Sequence, residues 1–364
     1  MTESETPGGA PPLRQLYLYL TEGCNLACRH CWLAPRFDPT ATRAPVMDLG
    51  ALEQGIAEAR PLGLQGVKLT GGEPLLHPRI AEVLDVVERE GLALNVETNG
   101  TLLTPALAER LGGLTLPHPP QVSVSLDGAV AETHDAVRGV LGAFDGATRA
   151  VRLLVQAGVR TQVIFTLMRA NEEELEAAMA LVKGLGAGSL KVNVLQPTAR
   201  GETVHESDDA LTVADYIRIG RRVERELAPA LELAVYFDYP AAFRPLGRVA
   251  GPNDGRCGIR GILGVLASGQ YALCGIGEQI PEMVFGRVGE AALADLWASH
   301  TALQGIREGL PDRLGGVCGE CLLSRACLGA CVAQNYYRSK DLFAPFWFCE
   351  EADRAGLFPA SRRR

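Results

Sequence analysis

The chain has 364 residues, long enough for one large domain or two ordinary ones, and its 47% apolar and 21% charged residues are those of a globular protein. Its 35 Lys and Arg against 43 Asp and Glu leave a net charge of −8, which offers no broad basic surface to a nucleic-acid backbone. No apolar run has the length of a membrane helix and the polar start MTESETPGGAPP holds no secretion segment, so a cytoplasmic protein is expected, with neither membrane nor nucleic acid as partner.

Residues 1–14 read as a disordered tail rich in Gly, Pro, Ser and Thr. Short apolar runs then alternate with longer amphipathic stretches. Strands are expected at Leu16–Leu20, Gly66–Thr70, Leu92–Glu97, Val122–Leu126, Thr161–Thr166 and Leu190–Leu195. Helices are expected near 48–60, 78–90, 105–111, 145–157 and 171–185, with Asp48 and Asn171 at N-cap positions and Gly91 and Gly158 where helices stop. The strands recur about every 35 residues, the size of a βαβ unit, which makes the fold α/β with a parallel sheet. Periodicity fits a flat, a doubly wound or a partly barrelled sheet alike.

A sixth helix is expected at 212–227. From about residue 240 the pattern changes. Gly261–Cys274 reads as a hairpin turning at Ser268–Gly269, 291–308 as one amphipathic helix, and the final GLFPASRRR as a solvated basic end. The expected division is therefore a tail at 1–14, an α/β unit at 15–200, a helical linker at 201–246, a cysteine-rich unit at 247–352 and a basic tail at 353–364.

Ten cysteines are the most informative feature, three of them within 24–31 and seven between 257 and 349. In a chain without a signal peptide such clusters point to metal or redox chemistry rather than disulfides. Cys24, Cys28 and Cys31 follow the first strand directly, in the loop where α/β folds place active sites. Zinc would want a fourth nearby ligand, and His30 is too close to Cys31 to bind the same ion without strain. Three ligands and one vacancy suggest a [4Fe–4S] cluster with an open iron.

This C-x3-C-x2-C loop resembles the signature of the radical S-adenosylmethionine (radical SAM) superfamily, whose fold is a partial (β/α)6 barrel. More segments match in order. Gly71-Gly72-Glu73-Pro74 follows the second strand and is similar to the segment that holds the methionine amino group. Asn99, in the TNGT turn after the third strand, matches another turn near the cofactor. By the same resemblance Ser125, in SVSLDG, reaches the ribose or carboxylate, and Arg138, in HDAVRG, pairs with the methionine carboxylate. Leu195, at the sixth strand's end, packs adenine, and His30 stacks near it. Glycines permit close backbone approach, Glu73 is an acceptor for an ammonium and Arg138 a planar fork for a carboxylate.

The later cysteines resemble the seven-cysteine SPASM domain of radical SAM enzymes that act largely on peptides. The resemblance deals Cys257, Cys274 and Cys331 to one auxiliary [4Fe–4S] cluster and Cys318, Cys321, Cys327 and Cys349 to a second. No thiol precedes Cys257 nearby, so the first auxiliary cluster is expected to keep an open iron or to take Asp254 as ligand. Sulfatase-maturing relatives carry an Asp base after the second of these cysteines, and Gly275 stands there instead. Tyr17, Tyr19, Lys68 and Glu97 are candidate substrate contacts.

The implied function is reductive cleavage of S-adenosylmethionine to a 5′-deoxyadenosyl radical that abstracts hydrogen from a ribosomally made precursor peptide, ending in an oxidative crosslink or thioether. The alternatives are decarboxylation or epimerisation of a small metabolite, or a non-catalytic electron carrier. The expected electron donor is of flavodoxin or ferredoxin type, and with only about 15 residues ahead of the first strand, leader recognition would fall to the body of the protein or to a separate leader-binding protein.

Overall fold

The structure is a computed structural model, described here over residues 9–40, 43–249, 257–290 and 292–364. Ten strands among these residues form one sheet: β1 (Gln15–Tyr19), β2 (Gly66–Thr70), β3 (Ala93–Thr98), β4 (Gln121–Ser125), β5 (Arg160–Leu167), β6 (Ser189–Val194), β7 (Ala234–Asp238), β8 (Ile262–Val265), β9 (Gln270–Ala272) and β10 (Val284–Arg287). Their order is β10-β9-β8-β1-β2-β3-β4-β5-β6-β7, parallel from β8 to β7 and antiparallel over β8, β9 and β10. The first six strands are the expected ones, each within one residue of its expected ends, and they form the partial barrel.

Strand alternation sorts the residues onto two faces. Leu16, Leu18, Val67, Val96, Val124 and Phe165 are at most 3% exposed and pack under the helices. The other face is polar: the register aligns Tyr17 with Lys68, Glu97 with Ser123, Ser123 with Gln162, and Asn193 with Asp238. The lumen is therefore not filled by aliphatic layers, and it can admit a ligand.

Helices Leu49–Ala59, Ile80–Arg89, Pro105–Gly112, Ala143–Gln156 and Leu175–Gly184 lie between the strands as expected. Asp48 caps the first, its carboxylate accepting from Ala51 N at 3.1 Å. Asn171 is not the N-cap but the third residue of its turn, and its side-chain oxygen accepts from the N-cap Met168 N at 2.8 Å. It sits 1% exposed inside the 3-10 turn Arg169–Glu174, where its amide donates to the carbonyls of Asp127 and Thr166. Helix Ala131–Arg138 was not expected, because its short polar stretch carries little apolar periodicity.

Downstream expectations need more correction. The span 201–246 holds helix Val213–Arg222 but also β7, so it is a further βα repeat rather than a helical linker. The hairpin of β8 and β9 forms, yet β8 also pairs in parallel with β1, which joins the cysteine-rich region to the barrel sheet. The stretch 291–308 is two helices, Leu293–Ser299 and Thr301–Gly309, broken at the extended His300. In the tail expected to be disordered, Leu13 is fully buried and Pro11 accepts from the Trp297 indole at 2.8 Å; residues 1–8 lie outside the described ones. The basic end is docked. Arg362 donates to the carbonyls of Ala242 and Arg244, and Arg363 pairs with Glu320 and Asp353. No helix among the described residues is long and apolar enough to cross a membrane.

Candidate active site

The Cys24–Cys31 loop leaves the end of β1 and is clamped at its base by a two-stranded pair, Gly23–Cys24 with Arg36–Phe37. Its middle hangs on the end of helix Ala131–Arg138, with Ala27 N and Arg29 N donating to the carbonyls of Arg138 and Val137 at 3.0 and 3.1 Å. The Gly71–Pro74 turn presses on its base: a Cβ at Gly72 would stand 1.9 Å from the Gly23 carbonyl oxygen, so only glycine fits. The sulfurs have polar company. Arg138 donates to Cys28 Sγ at 3.5 Å, and Cys24 Sγ receives Leu26 N at 3.4 Å and the Asn99 amide at 3.8 Å. Burial pushes the Cys24 thiol up to about 12 and raises Cys28 as well, against the pull of Arg138. A metal centre here would have to displace protons, and Arg138 and Asn99 would favour the resulting thiolates.

Two buried networks hold this mouth. Glu73, 1% exposed, accepts from Leu75 N at 3.1 Å, Thr98 Oγ1 at 2.6 Å and Asn99 N at 2.8 Å, tying the second turn to the third. Burial raises its carboxyl to about 7 against those donors. The Asn99 amide also donates to Asn25 Oδ1 at 2.9 Å. In the second network Asp127, fully buried, pairs with Arg138 at 2.7 Å and accepts from Thr166 N at 2.7 Å; His30 Nε2 lies 3.4 Å away. Burial drives His30 down to about 4, so the ring is neutral near pH 7. Arg138, expected to meet a methionine carboxylate, is already engaged by Asp127 and the Cys28 sulfur. Burial opposes ionisation of Asp127, but Arg138 prevails and holds its carboxyl below the usual range. Asp127 was visible only as part of SVSLDG, with no sign that it is the counter-ion.

Ser125 ends β4 half-buried and Leu195 follows β6 at 2% exposed, its N–H donating to Tyr216 Oη at 3.3 Å. Among the described residues, several buried polar atoms around this end of the sheet lack a hydrogen-bonding partner: His30 Nδ1, Asn193 Oδ1, Thr198 Oγ1, and Nε and Nη2 of Arg200. Buried polar groups are rarely left so, and the set fits a polar ligand. Arg200 and Thr198 were not singled out in the sequence.

The seven later cysteines fall into two groups. Cys331 lies near enough to raise the thiols of Cys257 and Cys274, and Cys257 that of Cys274, although burial is the larger cause and takes Cys257 to about 12. Cys318, Cys321, Cys327 and Cys349 line a small apolar cavity with Leu314 and Phe358. A hydrogen bond between Cys318 and Cys349 holds the first thiol down and pushes the second up. Among the described residues no three His, Cys, Asp or Glu side chains stand tightly enough to close on one metal ion. Asp254 lies outside the described residues. At Gly275 a Cβ would meet the Tyr19 ring at 2.3 Å, so the Tyr19 side chain occupies the place an Asp would need.

Between the barrel and the first of these groups lies a cavity of about 300 Å³, lined by Tyr17, Lys191, Asp238, Cys257, Cys331 and Trp347 among others, and reaching Leu195. Lys68, bonded to Glu97 Oε1 at 2.6 Å and standing 4.7 Å over the Tyr17 ring, extends the polar lining into the lumen.

Residues 18–182 match the radical SAM superfamily. The chain is 31% identical over 345 residues to an AdoMet-dependent heme synthase of Methanosarcina barkeri, covering 91% of this chain and 94% of that protein. It is 28% identical over 335 residues to the mycofactocin maturase MftC of Mycobacterium tuberculosis, covering 90% and 80%. The crystal structure of Streptococcus suis SuiB bound to precursor peptide SuiA superposes with a TM-score of 0.73 at 18% identity, over 93% of this chain and 76% of that one.

Proposed function

The chain belongs to the radical SAM superfamily, and from that membership we propose that it matures a ribosomally made precursor peptide by oxidative crosslinking or thioether formation. It is an oxidoreductase-type enzyme that uses S-adenosylmethionine and a [4Fe–4S] cluster. When bound, cofactor and cluster supply a 5′-deoxyadenosyl radical that takes a hydrogen atom from an unactivated carbon.

Cys24, Cys28 and Cys31 would hold that cluster, and Gly71, Gly72, Glu73, Pro74, Asn99, Ser125, Leu195 and His30 would bind the cofactor. Arg138 steadies the Cys28 sulfur while Asp127 balances its charge. The buried Glu73–Asn99 and Asp127–Arg138 networks keep the mouth in one arrangement and exclude water from it. Cys257, Cys274 and Cys331, and Cys318, Cys321, Cys327 and Cys349, are proposed to hold two auxiliary [4Fe–4S] clusters that accept the second electron of an oxidative outcome. A flavodoxin or ferredoxin type protein would supply electrons, and a separate protein would present the leader.

One observation carries this reading: the polar lumen opens into a cavity of about 300 Å³ that borders Cys257 and Cys331. That volume is at the lower end for small-molecule sites and suits one or two side chains of an extended peptide. The heme synthase relatives, which align over nearly the whole chain, favour a second reading in which the substrate is an iron porphyrin. Incubating the anaerobically reconstituted enzyme with S-adenosylmethionine, dithionite and either peptides from the flanking short reading frames or an iron porphyrin separates the two. A peptide that loses two hydrogens alongside 5′-deoxyadenosine supports maturation; conversion of the porphyrin alone overturns it.

A further inference from the structure

We propose that Arg200 binds a ligand carboxylate at this site, a role that rests on placing the cofactor at the Cys24–Cys31 loop. The turn after β6 brings Arg200 to that loop. A Cβ on Gly201 would stand 3.1 Å from the His30 carbonyl oxygen, so turn and loop are in direct contact. Ala199 adopts φ 50° and ψ −126°, a conformation that L-residues avoid. It is held by the C-terminal region: Tyr337 Oη accepts from Ala199 N at 3.3 Å and donates to Glu202 Oε2 at 3.0 Å.

What this strained turn presents is a guanidinium without a counter-ion. Nε and Nη2 of Arg200 are buried, and no hydrogen bond or ion pair reaches them among the described residues. The other arginines around His30 are paired, Arg138 with Asp127 and Arg29 with Asp209. A guanidinium stays charged at any working pH, and burying it alone is costly unless an anion joins it. Its planar fork matches a carboxylate, and Thr198 Oγ1, two residues earlier in the turn, is also buried without a partner among the described residues. The carboxylate has two sources, the methionine end of the cofactor or the substrate.

Equilibrium binding to the full-length reconstituted protein distinguishes them. The probes are S-adenosylmethionine, its decarboxylated form, the precursor peptide and that peptide with its carboxyls amidated. Arg200→Gln should lose roughly 30-fold in affinity, the ratio of about 2 kcal/mol, for one carboxylate-bearing probe while its decarboxylated or amidated counterpart is unaffected. Arg200→Lys should recover part of the loss. Loss for S-adenosylmethionine assigns the cofactor and loss for the peptide assigns the substrate, and either supports the proposal. The ligand-free Gln variant should melt no lower than wild type, since the partly buried Arg200 has no partner on Nε or Nη2 to lose. Unchanged affinities, or a lowered melting temperature with unchanged affinities, overturn it. Wild-type protein that binds no form of S-adenosylmethionine overturns the underlying reading, and the Arg200 assignment with it.

Discussion

The Cys24–Cys31 loop and the C-terminal cysteines hold their sulfurs by different means. The loop packs three thiols into eight residues and surrounds them with a cation and an amide, Arg138 and Asn99. The C-terminal sulfurs come from segments spread over 257–349 and meet mostly backbone N–H groups and apolar side chains, as Cys318 does Phe346 N and Cys321 does Leu323 N. The barrel can shape the first site from its own ion pairs before any metal arrives. The second region has short elements and dense cysteines, and if it holds the proposed clusters its order would depend more on them.

Removing the first set should therefore have a purely chemical effect. The triple variant Cys24→Ala, Cys28→Ala, Cys31→Ala should abolish 5′-deoxyadenosine formation and remove about a third of the iron that three four-iron clusters, the two proposed auxiliary ones included, would hold. Its melting temperature should fall little. In contrast Cys318→Ala with Cys349→Ala should lower the melting temperature while uncoupled cofactor cleavage persists. Residual cleavage in the first variant, or its loss in the second, breaks the comparison.

The next effect in size tests whether ion pairs shape the loop. Arg138→Met leaves Asp127 charged and buried, and should cost about 3–5 kcal/mol in urea unfolding, with Asp127→Asn restoring most of it. An Arg138→Met protein as stable as wild type would mean that the loop holds itself.

Smaller effects are expected where the regions meet. Tyr337→Phe removes the hydroxyl that spans Ala199 and Glu202 and should weaken cofactor binding about five-fold, near 1 kcal/mol. Glu278, beside the Gln279 amide that reaches the Leu33 carbonyl, is raised to about 7 by burial and then by Glu22. Its contribution to stability is present below the ordinary carboxyl range and is lost as pH rises through about 7. Melting temperatures followed from pH 5 to 8 should fall less steeply in Glu278→Gln than in wild type.

Six strands were legible because their alternation is carried by neighbouring residues. β7 was not: AVYFD is five residues ending in Asp, and its place depends on pairing with β6. The β8–β1 contact was hidden because it joins residues far apart in sequence. The basic tail was misjudged because charge alone does not reveal a partner, and Arg363 finds Glu320 and Asp353 only in three dimensions. Spacing exposes cysteines because a cluster demands it. A lone arginine in a turn, such as Arg200, has no pattern to betray it, and only its unpaired nitrogens do.

The pairing of β8 with β1 also has a temporal side. During synthesis β1 emerges first, but the strand that covers its other edge lies about 240 residues later, on the order of 10–50 s at bacterial to eukaryotic elongation speeds. For that interval the nascent barrel shows an unpaired β1 edge, a template for pairing with other chains until β8 covers it. Arrival of β8 covers that edge and lets β9 and β10 extend the sheet beyond it.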